Sequence, residues 1–209
     1  MELIENLKWR YATKKFDTSK KVSSNDLQKL KEAVQLSVSS YGLQLYKVLI
    51  IENSEIREQL KPVSWNQSQI TDASHLFVFC NYTDATPDAI DDFIKQTAET
   101  RNLDLERLNG YGDFIKEKLN EKIPEEKTGW LKSQTYLALG NLLNACAELK
   151  IDACPMEGFE PEAYNKILGL EQQGLNAAVI APIGYRHDKD HTIGQQKVRK
   201  PMDVLFETV

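Results

Sequence analysis

The chain has 209 residues, 41% of them hydrophobic and 27% charged, which supplies a substantial core and an ordinary charged surface. Its net charge of −5 at pH 7 speaks against nonspecific nucleic-acid binding, which needs many cationic contacts to phosphate. No apolar run approaches the ~20 residues of a membrane helix, and the acidic start Met1-Glu2-Leu3-Ile4-Glu5 lacks a signal-peptide core, so a cytoplasmic protein without nucleic-acid or membrane partners is expected.

In chain order, Leu3, Ile4 and Leu7 predict a short amphipathic helix ending at a basic cluster, Arg10-Tyr11-Ala12-Thr13-Lys14-Lys15-Phe16-Asp17. A second helix starts at Ser23-Ser24-Asn25-Asp26, a suitable N-cap region, with apolar residues at Leu27, Leu30, Val34 and Leu36. The continuous apolar runs Lys47–Ile51 and Leu76–Cys80 predict strands buried on two faces. Residues 84–125 predict a polar helical excursion, a candidate lid. Thr86-Pro87 suits its start, with Thr as N-cap and Pro at the first helical position, and Asn109-Gly110-Tyr111-Gly112 predicts a break. A helix follows from Trp130 to Leu149, apolar almost all round from Thr135 onward, which suits a core or a subunit interface. Its Ala positions and Gly140 would allow close helix approach. An extended stretch through Met156, a helix opened by Pro161 and a strand from Asn176 to Tyr185 come next. The apolar end Val204–Val209 predicts a terminal strand, able to complete a sheet in a partner subunit. No repeat or linker divides residues 1–209, so one α+β domain is expected.

Charge runs against the overall trend at both ends. Residues 8–21 hold six Lys or Arg against one Asp, and Lys197-Val198-Arg199-Lys200-Pro201 stands near the C-terminus, in a chain with 26 basic and 31 acidic residues. Such placement points to a specific anion; if the fold joins the ends, they form a phosphate clamp, and otherwise they are solvated turns. Phosphate-binding glycine motifs and a GxSxG elbow are missing. Cys80, Cys146 and Cys154 sit in apolar contexts without CxxC spacing and read as buried thiols. His187-Asp188-Lys189-Asp190-His191 carries metal-ligand types, yet reads as a solvated loop with no framework to fix a tetrahedral site. His75 reads as a hydrogen-bonded residue before a strand. The hydroxyl-rich segment Ser37–Tyr46 can meet a polar heterocycle or phosphate, or simply end a helix at a Gly cap. In Pro155-Met156-Glu157-Gly158-Phe159 the glycine lets backbone N–H groups approach a flat ligand.

The ordered set Arg10-x-x-x-Lys14-x-Phe16-Asp17, Ser39-Ser40-x-x-x-Gln44, Asp72-Ala73-Ser74-His75, Gly140-Asn141, Pro155-x-Glu157-Gly158-Phe159 and Lys197-x-Arg199 resembles the oxygen-insensitive nitroreductase and flavin reductase family. The NAD(P)H nitroreductase and dihydropteridine reductase branch is nearest, and the resemblance spans essentially the whole chain, weakest over 84–125. It implies an α+β fold with a central mixed β-sheet flanked by helices, in an intertwined homodimer with C-terminal strand exchange. It also implies one FMN per site at the dimer interface. Arg10, Lys197 and Arg199 would hold the FMN phosphate, which suits a near-dianion. Tyr11 and Ala12 would lie along the same loop, with Tyr11 beside the ribityl or ring edge. Lys14 would sit near the N1–O2 edge, where a cation stabilises the reduced ring and raises its potential. Ser39, Ser40, Gln134 and Leu137 would come from the partner subunit, and Val38 and Gly42 would contact the cofactor as well. Asn66 and Gln69 would meet the pyrimidine edge, and Pro155, Met156, Glu157 and Gly158 would cover the other face, their N–H groups toward N5 and O4. Tyr41, Trp65 and Phe114 are the implied substrate pocket.

The implied activity is ping-pong. NAD(P)H passes a hydride from C4 to flavin N5, and a nitroaromatic, quinone or similar flat small-molecule acceptor then takes its place. No side chain serves as catalytic acid or base, and no metal is called for. Departures from the family pattern are Ala12 for Ser, Gly42 for Asn, Leu45-Tyr46 for Pro-Trp, and Gln69 for a second Lys. The last predicts a lower flavin potential than in relatives carrying both lysines. The alternatives are a flavin or dihydropteridine reductase, a flavin-binding module without turnover, to which Ala12 and Gln69 point, and an α+β dimer with no cofactor.

Overall fold

Helix α1 (Glu2–Trp9) opens the computed structural model, which describes residues 1–209. Its apolar residues Leu3, Ile4 and Leu7 are exposed; the residue it buries is Asn6, whose amide donates to Glu148 at the far end of the longest helix. Helix α2 (Ser24–Gln35) starts at the predicted cap, where Ser23 Oγ accepts from the Asp26 N–H at 3.1 Å. Leu27, Leu30 and Val34 form its buried stripe. Leu36 does not extend that stripe: it caps the helix and is 72% exposed.

Four strands follow, β1 (Tyr46–Ile51), β2 (His75–Tyr82), β3 (Asp152–Ala153) and β4 (Leu175–Gly184), paired in the order β1-β2-β4-β3 and antiparallel at every step. The expected mixed sheet is corrected, since parallel pairing is confined to a single bridge between Ala12 and Ala153. Strands β2 and β4 are covered on both faces, as their unbroken apolar runs predict. Strand β1 is not, because it lies at the sheet edge with Lys47 exposed and its centre half-buried. The two-residue period of β2 divides the core. Phe77 and Phe79 face a cluster with Leu30, Leu139 and Leu142, while Leu76, Val78 and Cys80 face one with Leu60, Ile70 and Tyr164. Burial of each such side chain contributes about 1.5–3 kcal/mol.

The second cluster packs under α3 (Ser54–Leu60) and α4 (Gln69–Asp72), the excursion consists of α5 (Pro87–Arg101) and α6 (Glu106–Asn120), and the first cluster packs under α7 (Pro124–Glu148). Helix α5 starts as predicted, Thr86 Oγ1 accepting from the Ala89 N–H. The predicted break at 109–112 falls instead at Asn102, which ends α5 in the left-handed region at φ 52°, and 109–112 runs inside α6. Gly112 is a contact rather than a breaker: a Cβ there would lie 3.1 Å from Ile94 Cγ1. Ile90, Ile94, Ile115 and Leu119 anchor both helices to Leu43, Leu45 and Leu131. Helix α7 starts at Pro124, a turn and more before Trp130, because proline is suited to the first helical position. Gly140 closes no helix pair within its own chain, where a Cβ would meet nothing within 4 Å.

After α8 (Pro161–Leu168) and β4, the chain ends in α9 (Met202–Leu205) and an exposed tail. Residues 202–205 take a helical turn, and 204–209 pair with no strand of their own chain. No helix is long and apolar enough to cross a membrane.

Candidate cofactor site

The fold brings the two basic ends together. Lys197 Nζ donates to the Arg10 carbonyl, and Arg199 lies close enough to depress the basicity of both Arg10 and Lys197. Burial is the larger cause for both Arg10 and Lys197, and the neighbouring cations add to it. None of the three forms a salt bridge with a carboxylate. Three converging cations without a counter-ion make a donor set for a phosphate dianion.

Two buried carboxylates hold the loop between α1 and α2 in place. Asp190, 4% exposed, accepts on Oδ2 from the Lys14 N–H (2.8 Å), the Lys15 N–H (3.1 Å) and the Tyr11 hydroxyl (3.3 Å). On Oδ1 it accepts from the Thr192 N–H (2.9 Å) and hydroxyl (2.7 Å). Burial pushes its pKa up, but the bonds from Thr192, Lys15 and Lys14 outweigh that and hold it at about 2. The solvated reading of 187–191 is therefore corrected at this residue. Asp152 accepts from Arg186 Nε (2.8 Å), the Arg186 N–H (2.7 Å) and the Thr13 hydroxyl (3.4 Å). The Arg186 guanidinium lies 4.2 Å from the Trp9 ring centroid and 4.6 Å from that of Tyr11. Tyr11 thus commits its hydroxyl and a ring face to the protein, and Ala12 is fixed by its bridge to Ala153.

Lys14 Nζ stands 3.8 Å from Cys154 Sγ and pairs with no carboxylate, so its charge faces the segment 154–158. There Met156 pairs both ways with Ile180, at 2.8 and 3.1 Å. The N–H groups of Glu157 and Gly158 are left with no partner in the chain. The Gly158 carbonyl accepts from Gln67 Nε2, and the Trp65 ring rests on this glycine, where a Cβ would lie 2.8 Å from Cζ3. Trp65 and Asn66 are successive exposed residues in the left-handed region, at φ 54° and 56°. Gln69, at the start of α4, is 6% exposed and enters none of the chain's side-chain hydrogen bonds. Glu157 accepts from the Tyr136 hydroxyl; burial, then this bond, pushes the Tyr136 pKa up to about 12. Tyr136, Gly140, Leu143, Pro155, Met156 and Glu157 line a cavity of about 470 Å³. A larger one of about 650 Å³, between α5 and Gly42–Leu45, carries none of the clamp residues.

A second group assembles separately. The Ser40 N–H donates to Gln134 Oε1 (2.8 Å), the Gln44 N–H donates to Ser39 Oγ (2.9 Å), and Tyr41 packs at 6.5 Å from Trp130. Tyr41 and Gly42 have φ of 56° and 79°, so the loop turns sharply. Leu137 and Val38 are exposed, the former one turn beyond Gln134. No hydrogen bond joins this group to the clamp. Phe114 stands apart on α6, stacked on Tyr111 at 6.5 Å and 16°. Asp152, Asp190, Arg186 and Tyr136 are site residues that sequence reasoning missed; the alternating charges of 186–191 were the only signal.

The arrangement is an α+β protein in which three converging cations and a backbone segment with unpaired N–H groups lie on one chain. The family model described as Nitroreductase family matches residues 7–185, and the chain belongs to this family. It is 35% identical over 208 residues to the Major NAD(P)H-flavin oxidoreductase of Aliivibrio fischeri, covering 96% of this chain and 95% of that one. A candidate nitroreductase from Exiguobacterium sibiricum, solved in complex with FMN, superposes with a TM-score of 0.88 at 20% identity, covering 100% of this chain and 98% of that one. A nitroreductase family protein of Streptococcus pneumoniae TIGR4 gives 0.81 at 21% identity, with 99% of each chain covered. Likeness at that identity speaks for the fold alone.

Proposed function

We propose that the protein is an FMN-dependent NAD(P)H oxidoreductase acting on flat acceptors such as nitroaromatics and quinones. The carrying observation is the convergence of Arg10, Lys197 and Arg199, without a counter-ion, beside a shelf whose Glu157 and Gly158 N–H groups are unpaired. These residues fit FMN at both its ends, the phosphate and the ring edge. When bound, FMN would accept a hydride from NAD(P)H and deliver it to the acceptor. Arg10, Lys197 and Arg199 bind the phosphate, and Lys14 holds a positive charge toward the ring. Asn66 and Gln69 offer amides to the pyrimidine edge, and Pro155, Met156, Glu157 and Gly158 form the shelf.

The group of Val38, Ser39, Ser40, Gly42, Gln134 and Leu137 serves the site of a partner in a homodimer. Exposed Leu3, Ile4, Leu7, Val38 and Leu137 supply apolar surface for that contact, and the exposed tail is the segment for strand exchange. Tyr41, Trp65 and Phe114 line the acceptor pocket, and residues 84–125 act as its lid within one domain of 1–209. The Aliivibrio fischeri relative is named a flavin oxidoreductase, which makes free flavin an acceptor to test beside quinones. Steady-state NADPH and NADH oxidation with a quinone, a nitroaromatic and free FMN tests the proposal. Turnover that needs bound FMN is the predicted result; bound FMN without turnover on any acceptor favours a flavin-binding module.

A further inference from the structure

We infer that Asp190 is a positioning residue that joins the two ends of the chain into one phosphate clamp. Its two oxygens are divided between those ends. Oδ2 takes three donors from the N-terminal loop, the Lys14 and Lys15 N–H groups and the Tyr11 hydroxyl. Oδ1 takes two donors from the C-terminal segment, both from Thr192. Lys14 follows Arg10 by four residues, and Lys197 and Arg199 follow Thr192 by five and seven. The carboxylate therefore sets the anchor points from which all four cations project. The direct tie between the ends at the clamp itself is the Lys197 bond to the Arg10 carbonyl, and it is exposed. Mutual repulsion of three cations would open that tie unless something behind it is fixed. Asp190 is such a fixed point, buried and with five donors from both ends of the chain on its two oxygens. It shapes the site without touching a ligand.

All five partners are donors, so the position demands a group that accepts on both sides. Asparagine turns one side into an NH₂ facing donors, whichever way the amide is flipped. Asp190→Asn is thus nearly isosteric yet breaks one half of the latch.

The inference rests on the FMN reading, and the test separates the two. Amide hydrogen exchange of the apoprotein and FMN titration by flavin fluorescence quenching are measured on the wild type, Asp190→Asn and Leu131→Ala. The last removes a buried side chain from the cluster around α5 and α6 and controls for simple loss of stability. Expected are fast-exchanging Lys14 and Lys15 amides in Asp190→Asn with β2 still protected, and FMN binding at least about tenfold weaker. Leu131→Ala, though less stable, should bind FMN within about threefold of wild type. Unchanged FMN affinity in Asp190→Asn, or an equal loss in Leu131→Ala, overturns the inference. Should Asp190→Asn not fold, Thr192→Val removes one of the five bonds; about threefold weaker FMN binding supports the latch and unchanged affinity overturns it. A wild type that binds no FMN refutes the flavin reading, while exchange at Lys14 and Lys15 still reports on the latch.

Discussion

Lys197 and Arg199 are held against Arg10 with no carboxylate to neutralise them, so each works against the apoprotein and for an anionic ligand. Lys197→Ala and Arg199→Ala should each leave the apoprotein melting temperature unchanged or raised. Each should weaken FMN binding about tenfold or more, the worth of a charge-assisted hydrogen bond. A titration showing unchanged affinity would remove that residue from the clamp. Gln69 is buried with no hydrogen bond to its side chain, at the place where the family resemblance implies a second lysine. Gln69→Lys should raise the flavin midpoint potential in a potentiometric titration; a fall or no change would contradict the part given to charge at that edge. The cations were legible in the sequence because they stand against an acidic background. Asp190 was not, because its Lys14 partner is a backbone N–H 176 positions away, and neither the partner nor the burial leaves a local trace.

Among the elements, those whose faces repeat were legible and those set by contacts were not. Strands β2 and β4 announce themselves as unbroken apolar runs, and α2 by its cap and stripe. The same residue type misled in α6, where four residues with two glycines read as a break. Position 102 supplies the stop instead, and α6 keeps both glycines inside it. They should respond differently to substitution. Gly110 faces open space, so Gly110→Ala should stabilise by about 0.5–1 kcal/mol through helix propensity. Gly112 faces Ile94 at 3.1 Å, so Gly112→Leu should force α5 from α6 and cost about 1–3 kcal/mol. Urea unfolding of both variants decides; equal effects would mean that α5 and α6 do not pack as described. The terminal run is a different case: a strand needs an edge to pair with, and within its own chain this segment meets none.

At the scale of the whole molecule, one carboxylate ties the first fifteen residues to the last twenty, and this sets a pH limit. The folded-state pKa of Asp190 is about 2, below its ordinary value of 3.8. A depressed carboxylate stabilises the fold above its unfolded pKa and loses that contribution as pH falls through the folded one. Stability should therefore fall between about pH 4 and 2, and the fall should be shallower in Asp190→Asn, as melting curves across that range would show. An equally steep decline in both proteins would assign the acid sensitivity elsewhere. Joining the ends matters because each alone is a short basic stretch of a kind common on protein surfaces, and together they make a site for one dianion. The most direct test of that site is the visible absorption spectrum of the purified protein after incubation with FMN and removal of the excess, recorded without oxygen before and after NADPH. A retained flavin spectrum that bleaches on adding NADPH is the predicted result. A colourless protein that takes up no FMN would contradict the clamp and the function built on it.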